Sequence, residues 1–100
     1  ELNNVQYRTV VGNNVVMWAG NHIGHHGVVR DHVFVTSHVT VSGHCDIREY
    51  CWLGVNSTIR DFTFLAKGTK LGAATNVTKS IEQTYGVYIG SPAKRIGNVE

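Results

Sequence analysis

The chain has 100 residues and a formal net charge of +2 at pH 7, and 16% of its residues are charged. This length allows one domain with a thin core. The basic residues are scattered rather than clustered, which argues against nucleic-acid binding, and no apolar run is long enough to cross a bilayer. Because no signal-peptide pattern is present either, the sequence predicts a cytoplasmic protein that binds neither nucleic acid nor membrane.

An aliphatic residue recurs at every sixth position through most of the chain. A helix does not repeat every six residues, and an alternating strand does not single out one position in six. A fixed repeat is typical of a solenoid, in which each unit stacks on the next. The sequence therefore predicts a parallel β-helix in which each of these residues, called plugs below, points into the core. The thirteen plugs are Val5, Val11, Met17, Ile23, Val29, Val35, Val41, Ile47, Leu53, Ile59, Leu65, Leu71 and Val77.

Small or β-branched side chains occupy the position four residues after each plug, as a tight inward corner requires. Cys45 and Cys51 belong to this set. Six extended residues span up to about 20 Å, whereas a disulfide needs Cα atoms within roughly 7 Å. Both cysteines are therefore predicted to fill corners as free thiols.

In known β-helix families, three six-residue units make one triangular coil of eighteen residues. Residues eighteen apart should then stack about one strand spacing, ~4.8 Å, from each other. This stacking places Trp18, Phe34 and Trp52 on one outer face. An exposed aromatic stack of this kind indicates an interface between subunits. The alternative is that a loop or a terminal segment of the same chain covers it.

All six histidines lie between positions 22 and 44. The eighteen-residue stacking brings His25, His26 and His44 to one corner, together with Gly43. Since a glycine backbone can approach a ligand closely, this corner is the candidate site. The other histidines lie apart from it: His22 just before the corner, His32 and His38 at the other two corners.

Two chemistries suit the histidine corner. A neutral imidazole can take a proton from a hydroxyl or an amine as it attacks, and a backbone N–H at a neighbouring corner can stabilise the resulting oxyanion. Metal binding is the alternative, because carbonic anhydrases with a β-helix bind zinc through three histidines. Two of theirs lie five residues apart on one coil, whereas the gaps here are 3, 1, 6, 6 and 6. No metal site is therefore predicted from the spacing.

Several stretches resemble the hexapeptide-repeat acyltransferases, above all the bacterial sugar N- and O-acetyltransferases related to those acting on bacillosamine, perosamine and sialic acid. The similarity covers roughly residues 10 to 96, and the end of the chain is similar to the family's terminal Gly-x-Pro-Ala-Lys segment. The matching residues are Ile23-Gly24-His25-His26, Val41-Ser42-Gly43-His44-Cys45-Asp46-Ile47, Leu53-Gly54-Val55-Asn56-Ser57 and Val87-Tyr88-Ile89-Gly90-Ser91-Pro92-Ala93-Lys94-Arg95.

The resemblance implies a left-handed parallel β-helix with a short C-terminal extension, assembled as a homotrimer. We expect residues 1–100 to form this single domain. Relatives that act on nucleotide-linked amino sugars carry an additional N-terminal domain. The sequence is therefore also compatible with a fragment that lacks such a domain.

The resemblance also implies the site. Acetyl-CoA would lie in a groove between neighbouring chains, His25 would be the general base, and the N–H of Gly43 would bind the thioester carbonyl. The family often has an acidic residue after the base; here it is His26, which as a neutral ring would orient His25. A family histidine that contacts the thioester region aligns with Phe34. The cofactor-binding residues implied in this way are Phe34, Gly43, Gly90, Pro92, Ala93 and Lys94.

The predicted function is transfer of an acetyl group from acetyl-CoA to an amino or hydroxyl group of a sugar or nucleotide sugar, by direct attack. A non-catalytic trimeric scaffold or binding module is the main alternative. A metal-dependent enzyme similar to the β-helical carbonic anhydrases is the third.

Overall fold

The computed structural model describes residues 3–99, and β-strands make up all the regular structure within that range. Thirteen two-residue strands follow one another at six-residue intervals and form three faces. The first face contains β1 (Asn4–Val5), β4 (His22–Ile23), β7 (Thr40–Val41), β10 (Thr58–Ile59) and β13 (Asn76–Val77). The second contains β2 (Val10–Val11), β5 (Val28–Val29), β8 (Asp46–Ile47) and β11 (Phe64–Leu65). The third contains β3 (Val16–Met17), β6 (Phe34–Val35), β9 (Trp52–Leu53), β12 (Lys70–Leu71) and two longer strands, β14 (Gly86–Ile89) and β15 (Lys94–Asn98).

The two-residue strands pair in parallel, and each pair joins residues eighteen positions apart. Ile23 lies beside Val41, for example, and Ile47 beside Leu65. The predicted eighteen-residue coil and the all-β solenoid are therefore confirmed. No helix among residues 3–99 is long and apolar enough to cross a membrane.

The plugs fill the interior from the second coil onward. Every plug from Ile23 to Val77 is at most 1% exposed. The prediction that all thirteen plugs lie inside is wrong for the first coil, where Val5 is 42% and Val11 37% exposed and Met17 is half-buried. The reason is geometric: within the described chain, the first coil stacks against another coil on one side only.

Small side chains line the inner corners, and the hydroxyl groups of Ser57, Thr69 and Thr75 donate hydrogen bonds to backbone carbonyls there. Cys45 and Cys51 are buried and free, with Sγ atoms 3.0 Å and 3.3 Å from the carbonyl oxygens of Arg60 and Ala66. Burial raises the pKa of the Cys51 thiol to about 12, so it is chemically inert. Among residues 3–99, no buried side-chain nitrogen or oxygen lacks a hydrogen-bond partner.

The chain leaves the eighteen-residue register after Val77. Ile81, only 6% exposed, bridges to Leu65 and packs on the core. Strand β14 then pairs with β12 one residue out of register, Leu71 beside Tyr88, and β15 returns antiparallel along β14. Residues 78–99 thus form the C-terminal extension and cover the last coil.

Candidate active site

The candidate site is the corner that follows the first face. His25 and His26 follow β4 after Gly24, and His44 follows β7 on the next coil after Ser42 and Gly43. Backbone hydrogen bonds between coils fix their positions: the N–H of His26 donates to the carbonyl of Tyr7 at 3.2 Å, and that of His44 to the carbonyl of His25 at 2.9 Å. The three histidines lie together, as the eighteen-residue stacking predicts.

The rings at this corner form an ordered column. His26 and His44 stack face to face, with centroids 4.7 Å apart and an interplanar angle of 2°, and Phe62 stacks on His44 at 4.5 Å. His25 is perpendicular to both histidines, at 88° and 90°. Tyr7 stacks on His25 from the first coil at 5.9 Å. This column holds the ring of His25 between neighbours on two coils.

Gly43 leaves the space that the ring of His25 occupies. A Cβ atom at position 43 would lie 3.1 Å from both Cε1 and Nε2 of His25, tighter than an ordinary contact. At position 24, a Cβ would lie 2.6 Å from the nitrogen of Gly43, so glycine is required there as well. Within residues 3–99, no acceptor is found for the N–H of Gly43. The Nε2 edge of His25 and a free backbone donor therefore lie at the same corner.

His25 and His26 also contact each other through their Nδ1 atoms, 3.0 Å apart. One ring must donate this hydrogen bond and the other accept it. Desolvation lowers the pKa of His26, and the charges of His44, His25 and Arg8 lower it further, which favours its neutral form. When neutral His26 accepts, the proton of His25 is on Nδ1 and the lone pair is on Nε2, which with Cε1 forms the edge of the ring that faces Gly43.

Two surface clefts lie between this corner and the C-terminal extension, and none of the three histidines is among the residues that line them. Phe62, which stacks on His44, belongs to the first cleft and joins it to the histidines. Arg60 and Lys79 place positive charge along it, and Asp61 lies 3.9 Å from Arg60. The first cleft has a volume of ≈ 350 Å³ and is lined by Arg60, Asp61, Phe62, Thr63, Thr78, Lys79 and Ser80. The second has a volume of ≈ 270 Å³ and is lined by Thr78, Lys79, Ser80, Ile81, Glu82, Gln83, Tyr88 and Ala93.

The terminal segment implied by the family resemblance lies at the far end of these clefts. Gly90, Pro92 and Ala93 form the turn between β14 and β15, and Lys94 begins β15 with an exposed side chain. Ala93 lines the second cleft and packs against the core. Of these four residues, Ala93 alone is in the lining of either cleft as described.

Phe34 lies away from the histidine corner, on the third face. Its ring is between Trp18, with centroids 5.2 Å apart, and Trp52, at 6.0 Å. These three rings form an aromatic ladder along the third face. The Nζ atom of Lys70, on the next coil, lies 5.2 Å above the ring of Trp52. The three aromatic residues share one outer face as predicted, and Trp18 is 52% exposed there.

The abundance of histidine has a backbone cause that the spacing argument missed. The residue three positions after each plug, from Arg8 to Ala74, adopts the left-handed conformation, with φ between 56° and 77°. Histidine and asparagine are enriched among the non-glycine residues that adopt positive φ. Four consecutive corners carry His26, His32, His38 and His44 at this position. A six-residue periodicity of histidine is the sequence signal that could have revealed it.

No protein-family model matches the sequence, and no curated protein is significantly similar to it. Its fold, however, is similar to solved structures of serine acetyltransferases. The Neisseria gonorrhoeae enzyme matches with a TM-score of 0.92 at 18% identity, over 98% of this chain and 42% of that one. The Vibrio cholerae enzyme gives 0.90 at 23% identity, over 96% and 41%. The Brucella abortus enzyme in complex with coenzyme A gives 0.89 at 23% identity, over 96% and 42%.

The chain therefore spans about two fifths of the length of these proteins. At these identities the likeness establishes the fold. It is the left-handed parallel β-helix that the family resemblance implied.

Proposed function

We propose that this chain is the β-helical part of an acetyl-CoA-dependent acyltransferase in which His25 is the general base. The observation that carries the proposal is the arrangement of His25 and Gly43. The Nε2 edge of the ring lies against a glycine whose N–H has no acceptor among residues 3–99. A base beside a free backbone donor is the pair of groups that direct acyl transfer needs.

The reaction requires no acyl-enzyme. Nε2 of His25 takes the proton of a hydroxyl or amine on the acceptor, and the oxygen or nitrogen of that acceptor group attacks the thioester carbonyl carbon. The N–H of Gly43 donates a hydrogen bond to the oxyanion that forms. The C–S bond then breaks, coenzyme A leaves as the thiolate, and the imidazolium of His25 gives its proton to that thiolate.

His26 takes the place of the carboxylate that often follows the base in the family. By accepting from Nδ1 of His25 it keeps the lone pair of the base on Nε2. A neutral acceptor orients the ring but contributes less to its basicity than a carboxylate would. We therefore regard His26 as a positioning residue that acts through His25.

Acetyl-CoA would lie along the two clefts that extend from Phe62 to Ala93. Arg60 and Lys79 suit its phosphate groups, since guanidinium and ammonium groups are the usual protein partners of phosphate. The turn containing Gly90, Pro92 and Ala93, followed by Lys94, would border the far end of the cofactor. Two of the similar solved structures contain coenzyme A, which supports this class of donor.

The assembly we propose is a homotrimer in which Trp18, Phe34 and Trp52 pack against a neighbouring chain. Trp18 and Trp52 are 52% and 36% exposed in the single chain, and covering such a surface stabilises an assembly. With acetyl-CoA in a groove between neighbouring chains, as in the family, Phe34 would reach the groove from the adjoining face.

The acceptor we propose is a sugar or nucleotide sugar with a free hydroxyl or amino group, as the sequence resemblance implies. L-Serine is the second candidate, since the similar solved structures are serine acetyltransferases. The predicted cytoplasmic location is in keeping with two free, buried cysteines.

Calorimetry with acetyl-CoA tests the proposal against the scaffold alternative. The chain should bind acetyl-CoA, and Lys79→Ala should weaken binding about 10-fold or more, the share of one charge-assisted hydrogen bond. Lys67→Ala is the matched control, because Lys67 lies over Tyr50 at a different corner. If acetyl-CoA does not bind, the scaffold reading replaces the enzyme.

A further inference from the structure

We propose that the histidine corner is a binding site for one zinc ion, with His25, His26 and His44 as its protein ligands. The spacing of the histidines along the sequence argues against a metal site only if all the ligands must come from one coil. Here they come from two coils that stack on each other, and His44 lies one coil beyond His26. The proposal concerns binding to the chain itself and does not depend on acetyl transfer.

The distances between the ring nitrogens suit a single small ion. One nitrogen from each histidine can be chosen so that all three lie within 4.8 Å of one another. In a tetrahedral site with Zn–N bonds of 2.0–2.1 Å, ligand nitrogens lie roughly 3.3 Å apart. The Nδ1 atoms of His25 and His26, at 3.0 Å, are already near this separation. Closing the set around zinc therefore requires His44 to approach this pair.

The ring orientations determine how the ion enters. A metal bound to an imidazole nitrogen lies near the plane of that ring. The planes of His25 and His26 meet at 88°, and those of His25 and His44 at 90°, so either pair can share an ion. His26 and His44 are parallel to within 2°, so one of them must turn before all three can bind. Both are exposed, and the terminal torsion of histidine is soft.

The chemistry of the donor set separates transition metals from magnesium and calcium. Imidazole suits zinc, copper and nickel, whereas magnesium and calcium prefer oxygen ligands. The three ligands are all imidazoles, and three histidines leave the fourth position of a tetrahedral zinc for water. The site should therefore bind zinc and ignore magnesium.

One consequence does rest on the proposed function. Zinc bound to Nδ1 of His25 would leave the ring proton on Nε2, the nitrogen that must accept a proton in acetyl transfer, so zinc would inhibit the enzyme. The His44→Asn variant should then be inhibited only at higher zinc concentration. Binding and inhibition are separate measurements, so failure of one proposal does not hide the other.

Titration calorimetry of the tag-free chain with zinc chloride tests the site. We expect one zinc per chain, and at least about 10-fold weaker binding by His44→Asn, since even an outer-shell partner of a metal site contributes that much. The matched control is His38→Asn, which removes a histidine with the same left-handed backbone, φ 58° against 59°, at another corner. Asn14 and Asn56 occupy this corner position elsewhere in the chain, so asparagine fits it.

The outcomes separate cleanly once circular dichroism shows both variants folded. Weakened binding by His44→Asn with unchanged binding by His38→Asn supports the site. Absence of zinc binding, or equal affinities in all three proteins, overturns it. Zinc binding without acetyl-CoA binding would instead remove the proposed function and leave the metal site standing.

Discussion

The plug positions predict a difference in stability between two chemically identical substitutions. Val41 and Val5 are both valine plugs on the first face, in β7 and β1, thirty-six residues apart. Val41 is 1% exposed, with Ile23 and Ile59 beside it on the neighbouring coils, whereas Val5 is 42% exposed. Replacing each by alanine removes the same two carbon atoms from very different surroundings.

The expected cost follows from burial. Two fully buried carbons contribute about 1.6 kcal/mol at ~0.8 kcal/mol each, and the cavity left between two coils adds to this. We expect Val41→Ala to lower the free energy of unfolding by about 2–3 kcal/mol. For Val5→Ala we expect less than about 1 kcal/mol, because the site is half exposed and open to solvent.

Urea unfolding at a fixed protein concentration, followed by circular dichroism, measures both values. In a domain of this size, 2 kcal/mol corresponds to a lower melting temperature by roughly 8–16 °C. Equal losses of stability for Val5→Ala and Val41→Ala would refute the reasoning, since they would mean that the first coil is as well covered in solution as the third.

Three further predictions concern charge, assembly and the base. The Arg30 side chain donates a hydrogen bond to Asp46 and lowers the pKa of that carboxyl. The pair therefore stabilises the fold above about pH 4, and this stabilisation is lost as the pH falls and the carboxylate is protonated. Near neutral pH, the free energies of unfolding of wild type and Arg30→Met should differ by less than about 1 kcal/mol, since the pair is partly exposed. Acid denaturation should show this difference vanishing at low pH. Sedimentation should give about three times the 11.0 kDa chain mass, and Trp52→Glu should give monomer; a wild-type monomer at micromolar concentration would contradict the trimer. His26→Phe should lower kcat about 10–100-fold without raising the KM for acetyl-CoA. Phenylalanine fits this backbone, because Phe62 has the same φ of 57° at its corner. An unchanged kcat would mean that His26 does not position the base.

The interior of this fold could be predicted from the sequence because one repeat determines almost all of it. Each plug from Ile23 to Ile59 lies between two other aliphatic plugs, eighteen residues before and after it, so a single six-residue period specifies register, face and burial together. The period carries no information about where the stack stops. Val5 and Val11 follow the six-residue pattern but are not buried. Residues 78–99 depart from the eighteen-residue register, which the repeat itself could not reveal.

The candidate site could be predicted only in part. The stacking of His25 over Gly43 follows from the eighteen-residue coil, as does the aromatic ladder of Trp18, Phe34 and Trp52. The left-handed backbone at His26 and His44 does not follow from the plug positions, and it sets the ring stacking and the approach of the ring nitrogens. Phe34 lies on a different face from the histidine corner, so its predicted contact with the cofactor depends on a neighbouring chain and stays a prediction.

The central claim is most directly tested by the turnover of His25→Ala. Release of coenzyme A thiol from acetyl-CoA should be measured with a panel of amino sugars, nucleotide sugars and L-serine, for wild type, His25→Ala and the control His38→Ala. We predict that His25→Ala lowers kcat about 10²–10⁴-fold, the usual share of a general base, while acetyl-CoA affinity changes little and His38→Ala retains activity. Full activity of His25→Ala would contradict the account and place the base elsewhere in the chain.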